Sequence, residues 1–202
     1  MGITERRMGG STPPMSLYLL GGSFMAGGVI GSVLAGLMPQ GSAQALADYL
    51  VAFLSLLEQG GFSPELMPML WEQLRLWLAM GILGLTALGV VGIPLLLGVR
   101  GFLLAFSVGG FCRVFGPAGL LPSVYFFGLA ALLTMPVLFF SGMQGFERGL
   151  LLLSHALGVG ECTGRVGSYL AVWLLCGLGL VVAVCVQVLL LPVLMPLAVG
   201  VL

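Results

Sequence analysis

The charged side chains of this 202-residue chain are few and unevenly spaced, and their placement constrains the fold more than any other feature. Seven arginines and seven acidic residues make up only 7% of the sequence, whereas a soluble domain usually carries about 25% charged residues. Residues 17–38 and 166–202 hold no charge at all, and a segment of roughly 20 apolar residues is long enough to cross a bilayer. The sequence therefore excludes a water-soluble globular fold and predicts an integral membrane protein.

Apolar segments between the charges predict an all-α fold, a polytopic membrane helix bundle with about five transmembrane helices in one domain over residues 17–202. Residues 1–16 are polar and contain Gly, Ser and Pro, and they predict a mobile cytoplasmic N-terminus. The third span is short, so a four-span alternative, in which residues 101–119 enter the membrane without crossing it, stays open. The predicted spans are residues 17–38, 76–98, 101–115, 120–143 and 169–191.

Proline and arginine positions set the predicted helix ends. Pro94 and Arg100 predict the end of the second span, and Pro192 and Pro196 predict that the last span stops and leaves an apolar tail at the interface. We interpret Arg113 as an interfacial arginine whose side chain reaches the membrane surface, with an arginine facing the bundle interior as the alternative.

Residues 39–75 are the least apolar part of the chain and predict an outer segment formed by a pair of amphipathic helices after the first span. Over residues 46–57 the apolar positions recur every three or four residues, which is typical of an amphipathic helix. Pro64 predicts the start of the second helix, and Trp71 and Trp77 are interpreted as interfacial anchors. The segment is interpreted as lying on the membrane or capping the bundle, and its polar side is a candidate docking face for an extracytoplasmic partner. The candidate partner-contact residues are Asp48, Ser55, Glu58, Phe62 and Glu65.

Small residues recur at four-residue spacing on two of the predicted spans, a pattern that allows close helix contact in a bilayer. In a chain with 33 glycines the same spacing also arises by chance. The candidate helix-packing residues are Gly27 and Gly31 on the first span, and Gly101, Ala105 and Gly109 on the third.

The arginines predict the orientation of the bundle, because cytoplasmic loops carry an excess of basic residues. A cytoplasmic N-terminus with five spans places the outer segment and the C-terminus on the extracytoplasmic side. It places Arg6, Arg7, Arg100, Arg148 and Arg165 inside, and Arg75 and Arg113 outside.

The sequence offers little for catalysis. It contains no lysine, which excludes a P-loop in its common form, and His155 is a lone histidine that we interpret as a surface residue. No acidic residue falls well inside a predicted span, which weakens ion-coupled transport. The four cysteines form no C-x-x-C pair and are interpreted as packing residues. We therefore predict no enzyme activity, no metal and no cofactor, and the few basic residues argue against a nucleic-acid partner.

Three stretches, Gly92–Phe102 (GIPLLLGVRGF), Ala105–Phe111 (AFSVGGF) and Leu191–Met195 (LPVLM), follow an apolar span and an acidic outer segment. In this layout the chain resembles the stage II sporulation protein M family. The resemblance implies a non-enzymatic scaffold in the septal or engulfing membrane of a sporulating bacterium. It also implies extracytoplasmic peptidoglycan hydrolases, stage II sporulation proteins D and P, as partners during engulfment.

Membrane lipid is a further expected partner, and self-association into a homo-oligomer is left open. One alternative function is a permease-like transmembrane subunit that needs a separate ATPase. Another is a bundle that shares the architecture but has a different role.

Overall fold

The computed structural model describes residues 15–58, 66–158 and 166–199, and every regular element in these ranges is helical. A helix satisfies its backbone N–H and C=O groups within its own segment, which an apolar environment requires because it offers no water to bind them. The prediction of an all-α bundle is therefore confirmed for the described residues. The α-helices are α1 (Met15–Gly36), α2 (Gln40–Glu58), α3 (Leu66–Gly84), α4 (Gly89–Phe115), α5 (Leu120–Ser123), α6 (Leu129–Ala156) and α7 (Val166–Val199).

Four helices in the described part of the chain are long and apolar enough to cross a membrane. They are α1, α4, α6 and the Tyr169–Leu190 part of α7. These helices support a membrane-embedded protein, and the fifth span stays a prediction.

The first two helices begin and end close to their predicted positions. α1 ends two residues before the predicted end at residue 38, and α2 covers the predicted amphipathic segment. Between them, the Ala43 N–H donates a hydrogen bond to the Pro39 carbonyl at 3.0 Å. A proline suits this position because the first N–H groups of a helix have no partner inside the helix.

The division between the second and third predicted spans is wrong. The predicted spans 76–98 and 101–115 separate near Arg100, whereas the structure has a turn at Leu85–Leu88 and a continuous α4. Pro94 lies within α4, where it removes one backbone hydrogen bond, but ending the helix there would leave several backbone groups unpartnered in apolar surroundings. The turn is closed by backbone hydrogen bonds between residues three apart. Residues 85–88 contain no glycine, proline or charged residue that would indicate a turn in the sequence.

The same correction changes the predicted outer helix pair. Residues 66–75 are the first half of α3 and continue directly into the part that was predicted to span. Trp71 is 61% exposed, but Trp77 is 6% exposed and stacks on Trp173 with ring centroids 3.8 Å apart. The interpretation of Trp77 as an interfacial anchor is therefore wrong, because it is part of the bundle core.

The connection between α4 and α6 is a series of short turns. A 3₁₀ turn at Gly116–Gly119, α5 and a π turn at Val124–Gly128 occupy the start of the predicted span 120–143. α6 then runs past the predicted end at residue 143 and continues to Ala156.

The last helix also differs from its prediction. α7 begins three residues before the predicted span 169–191 and continues through Pro192 and Pro196 to Val199. The prediction that these prolines end the helix is wrong. As at Pro94, ending the helix would leave several backbone groups without hydrogen-bond partners. An isolated proline costs one helix bond, whereas unwinding in an apolar environment exposes more groups.

α1 and α4 run parallel, although most neighbouring helices in small bundles are joined by a hairpin and run antiparallel. Gly27 lies against Gly98, and Gly31 lies against Phe102, so the contacts advance in the same direction along both helices. α2 and α3 together return the chain to the end where α1 begins. We call this end of the bundle end A and the opposite end, where α1 and α4 finish, end B.

The other long helices alternate in direction. α3 is antiparallel to α4 through the turn at Leu85–Leu88, α6 is antiparallel to α4, and α7 is antiparallel to α3. The contacts that fix the last two directions are Gly142 with Leu97 and Gly149 with Gly89 for α6, and Gly81 with Trp173 and Gly177 with Trp77 for α7.

A buried apolar core joins α1, α3, α4, α6 and α7. It contains Leu20, Trp77, Met80, Ile93, Leu97, Leu138, Phe146 and Leu180.

Candidate functional site

The small residues predicted to mediate helix contact lie together at the interface of α1 and α4. A Cβ atom added at Gly27 or Gly31 would overlap a backbone carbonyl oxygen of α4, that of Gly98 or Phe102. The two helix backbones therefore approach so closely that only glycine fits at these positions. From the α4 side, Gly101 lies against Phe24, Ala105 against Gly28 and Gly109 against Ala35.

The α1–α4 interface is internal to the chain. The Ser23 hydroxyl adds a hydrogen bond across it, donating to the Pro94 carbonyl at 2.6 Å. Because α4 covers the face that contains Gly27 and Gly31, this face is not free to receive the transmembrane anchor of a partner. Gly27 and Gly31 therefore pack two helices of the same chain against each other.

α2 carries the described part of the predicted partner-contact surface. Asp48 and Ser55 are exposed, and the Ser55 hydroxyl donates to the Ala52 carbonyl of the same helix at 2.8 Å. Leu50 is 6% exposed, so α2 has one side packed and the other free. Glu58 is the last residue of α2, but its side chain lies outside the described residues, as do Phe62 and Glu65.

A polar cavity that the sequence did not predict lies inside the bundle at Arg100. Arg100 is the twelfth residue of the 27-residue α4, so it lies near the middle of a helix about 40 Å long. Its Nη2 donates a hydrogen bond to Gln73 Oε1 of α3 at 3.3 Å. Its Nε is buried and has no hydrogen-bond partner among the described residues. Arg100 is thus a partly buried cation near the middle of α4, and its Nε donor is unused.

The cavity has a volume of about 270 Å³ and takes its polar side chains from three helices. Gln73 is 7% exposed and Gln187 of α7 is 5% exposed, so both amides are buried in the wall. Glu72 is exposed and forms part of the lining, one residue before Gln73 on α3. The remaining lining residues are Met69, Leu103, Leu104, Ser107, Phe127 and Ala130.

The bundle core closes the cavity toward end A. Trp77 and Met80 follow Gln73 on α3, Leu97 precedes Arg100 on α4, and Leu180 precedes Gln187 on α7. Given the helix directions, each of these core residues lies on the end-A side of the cavity. The polar space therefore occupies the end-B half of the bundle and stops at a packed apolar layer.

The sequence prediction places Arg100 at the end of a span and therefore misses this site. Two signals were present. No glycine-proline or polar turn follows Arg100 before the next apolar stretch, and Gln187 is a lone amide inside the uncharged segment 166–202. A buried amide in an apolar helix requires a polar neighbour, and Arg100 is the cation that lines the same cavity.

Polar contacts near end A tie α6 to its neighbours. The Ser16 hydroxyl donates to Glu147 Oε1 at 3.0 Å, and the Arg148 guanidinium lies 5.0 Å from the centre of the Tyr169 ring. The Tyr169 hydroxyl in turn donates to the Gly81 carbonyl at 3.2 Å. These contacts hold α1, α3, α6 and α7 together.

The other residues considered for chemistry lie apart from the cavity. His155 is exposed on the last turn of α6, and Arg113 is exposed near the end of α4 rather than facing the bundle interior. Cys112, Cys176 and Cys185 are free thiols, and Cys162 lies outside the described residues. Within the described ranges, no group of three or more His, Cys, Asp or Glu side chains is arranged to hold a metal ion.

Comparisons with known proteins yield no relative: no family model matches the chain, and neither a curated protein nor a solved structure is significantly similar to it.

Proposed function

We propose that this chain is a non-enzymatic membrane scaffold that gathers peptidoglycan-degrading enzymes, of the stage II sporulation protein D and P kind, at the septal or engulfing membrane. The proposal starts from the resemblance of Gly92–Phe102 and Ala105–Phe111 to the stage II sporulation protein M family. A scaffold needs a stable membrane bundle and a surface that it can present to partners.

The observation that carries the proposal is the exposure of α2 at end B. α2 packs on α4 through one side, with Leu46 over Gly110, while Asp48 and Ser55 point away from the bundle. Most other exposed side chains on the long helices are apolar and suit contact with lipid. α2 is therefore the described element best suited to meet a water-soluble partner.

The orientation that this role needs puts end B on the extracytoplasmic side. Arg100 does not support this orientation, because Arg100 lies inside the bundle rather than in a loop. Arg75 does not bear on the orientation either, because it lies within α3. Arg148 at end A and Arg113 near end B oppose each other, so the basic-residue argument depends on Arg6, Arg7 and Arg165, outside the described residues.

Cysteine accessibility tests the orientation directly. In a variant without the four native cysteines, Gly41→Cys at end B should react with an impermeant thiol reagent in intact cells, and Leu157→Cys at end A should not. Both positions are exposed, so burial does not bias the comparison. Labelling of Leu157→Cys alone would contradict the proposed orientation.

The docking surface is tested by charge reversal on α2. The Asp48→Arg, Glu58→Arg variant should insert normally and lose co-purification with the two hydrolases, because opposite surface charge disfavours a complementary partner. Arg113→Glu, an exposed charge near the end of α4 and outside the 39–75 segment, is the control and should retain the partners. Unchanged co-purification after the α2 reversal and after replacement of residues 42–62 by a flexible linker would reject the proposal.

The cavity at Arg100 favours a second candidate, a permease-like subunit that works with a separate ATPase. Its closure by the core toward end A matches either a static pocket or one state of a transporter. Solute flux in proteoliposomes separates these candidates: energy-dependent flux in the presence of an ATPase partner would favour the permease, and its absence together with hydrolase binding would favour the scaffold.

A further inference from the structure

Arg100 is positioned to bind an anion in addition to the exposed Glu72 carboxylate, which lines the same cavity and attracts it. A guanidinium group carries five N–H donors and stays charged, and a charge in the interior of a membrane protein is costly unless it is paired. The described structure gives it one hydrogen bond, to the neutral Gln73 amide at 3.3 Å, and leaves Nε without a partner. A neutral amide satisfies a donor but does not neutralise the charge.

Glu72 attracts Arg100 across the cavity that both residues line, but it fills this role only in part. Its side chain is exposed, whereas Arg100 is partly buried and Gln73 is 7% exposed. Glu72 therefore lies at the mouth of the cavity and Arg100 in its wall. An exposed carboxylate at the mouth interacts weakly with a cation because solvent or head groups screen it.

The other polar groups of the cavity are suited to an oxyanion. Gln73 accepts from Arg100 through Oε1, so its NH₂ group remains a donor. Gln187 contributes a second NH₂ group from α7, and Ser107 contributes a hydroxyl from α4, about two helical turns beyond Arg100 toward end B. These donors reach the cavity from α3, α4 and α7, which suits a tetrahedral group with oxygens in several directions better than a planar one.

The size of the cavity limits the ligand. Its volume of about 270 Å³ is at the lower end of ligand pockets, which range over about 300–1,000 Å³. It can take a phosphate group with a few attached atoms, and the bundle core blocks passage beyond it toward end A.

We propose that the cavity at Arg100 binds a phosphate group, either as a free phosphate compound or as the head group of a phospholipid, with Arg100, Gln73 and Gln187 as its ligands. This site is distinct from the α2 surface, so it does not depend on the scaffold proposal and either can fail alone. A bidentate guanidinium contact to phosphate supplies most of the affinity.

Binding is measured on the full chain purified in detergent and stripped of lipid, with inorganic phosphate as the first probe and dioctanoyl phosphatidic acid as the second. Dioctanoyl glycerol, which has the same chains without phosphate, is the control for the second probe. Binding of inorganic phosphate identifies a free-phosphate site, whereas binding of the phosphatidic acid alone identifies a lipid head-group site.

Arg100→Gln should weaken binding of the responding probe by at least about tenfold, the loss expected for removing a charged hydrogen-bond donor. Gln187→Leu should weaken binding of the same probe by less than Arg100→Gln does. Because Gln187→Leu leaves all charges in place, it still tests the site if the Arg100→Gln variant does not fold. Arg113→Gln is the matched control, since it removes an exposed arginine from the same helix, and it should bind as the parent does.

Glu72→Gln gives a test of the opposite sign. Removing the negative charge at the mouth should strengthen phosphate binding by about two- to fivefold, the range for an exposed charge pair. Binding of neither probe, equal binding of dioctanoyl glycerol and phosphatidic acid, or unchanged binding in both Arg100→Gln and Gln187→Leu would overturn the proposal.

Discussion

The close contact of α1 and α4 predicts that adding a single methyl group to α1 destabilises the protein. In Gly27→Ala and Gly31→Ala the new Cβ would overlap the carbonyl oxygens of Gly98 and Phe102. These are backbone atoms, so the helices must move apart rather than a side chain rotate away. Overpacking of this kind costs about 1–3 kcal/mol per site.

The helix propensity of alanine opposes this cost. Alanine is preferred over glycine inside a helix by about 0.5–1 kcal/mol. For the Gly27→Ala, Gly31→Ala double variant, an overpacking cost of about 2–6 kcal/mol less a propensity gain of about 1–2 kcal/mol leaves a net loss of about 2.5 kcal/mol in the free energy of unfolding at the centre of both ranges. At about 2–4 °C per kcal/mol for a chain of this size, the melting temperature should fall by several degrees.

α1 supplies its own control. A Cβ added at Gly21 or Gly22 meets no atom within 4 Å, so Gly21→Ala, Gly22→Ala changes propensity without a clash. Thermal unfolding of both double variants in the same detergent, followed by circular dichroism, should show a lower melting temperature for the first and an unchanged or higher one for the second. Equal melting temperatures would refute the reasoning that backbone contact, rather than helix propensity, decides which glycines are required.

Three further substitutions test the packing. Trp77→Ala should lower the free energy of unfolding by about 3–5 kcal/mol, because a ring that is only 6% exposed is lost from the core. Trp71 is 61% exposed, so Trp71→Ala should change the free energy of unfolding by less than about 1 kcal/mol in the same thermal unfolding experiment. Tyr169→Phe removes the donor that binds α3 at 3.2 Å and should cost about 0.5–1.5 kcal/mol, and a stability equal to that of the parent would contradict it. Ser23→Ala removes the 2.6 Å hydrogen bond to the Pro94 carbonyl and should cost a similar amount, whereas a gain in melting temperature would mean that this bond contributes nothing.

Charge spacing and apolar composition were sufficient to predict a helical membrane bundle, because lipid permits few other ways to satisfy the backbone. The bounds of α1 followed from the same signals, and the small-residue spacing at Gly27 and Gly31 pointed to a close helix contact. These features depend on local composition and period, which a sequence displays directly.

The turn between α3 and α4 could not be predicted from local signals. Leu85–Leu88 contains no turn residue, while Pro94 and Arg100 resemble a helix end and lie inside α4. The chain turns where packing of Gly84 and Gly89 against their neighbours allows the hairpin to close, not where the sequence is least apolar. Stability gained by packing the whole hairpin outweighs the cost of one proline and one charge.

What the sequence alone determined is the class of environment, a bundle of apolar helices with few charges. What only the tertiary structure decided is which polar residues meet. Gln73, Arg100 and Gln187 are 27 and 87 positions apart along the chain, yet all three line one cavity. Their proximity depends on the parallel and antiparallel directions of helices that touch through backbone and small side chains, and no local pattern in the sequence records those directions.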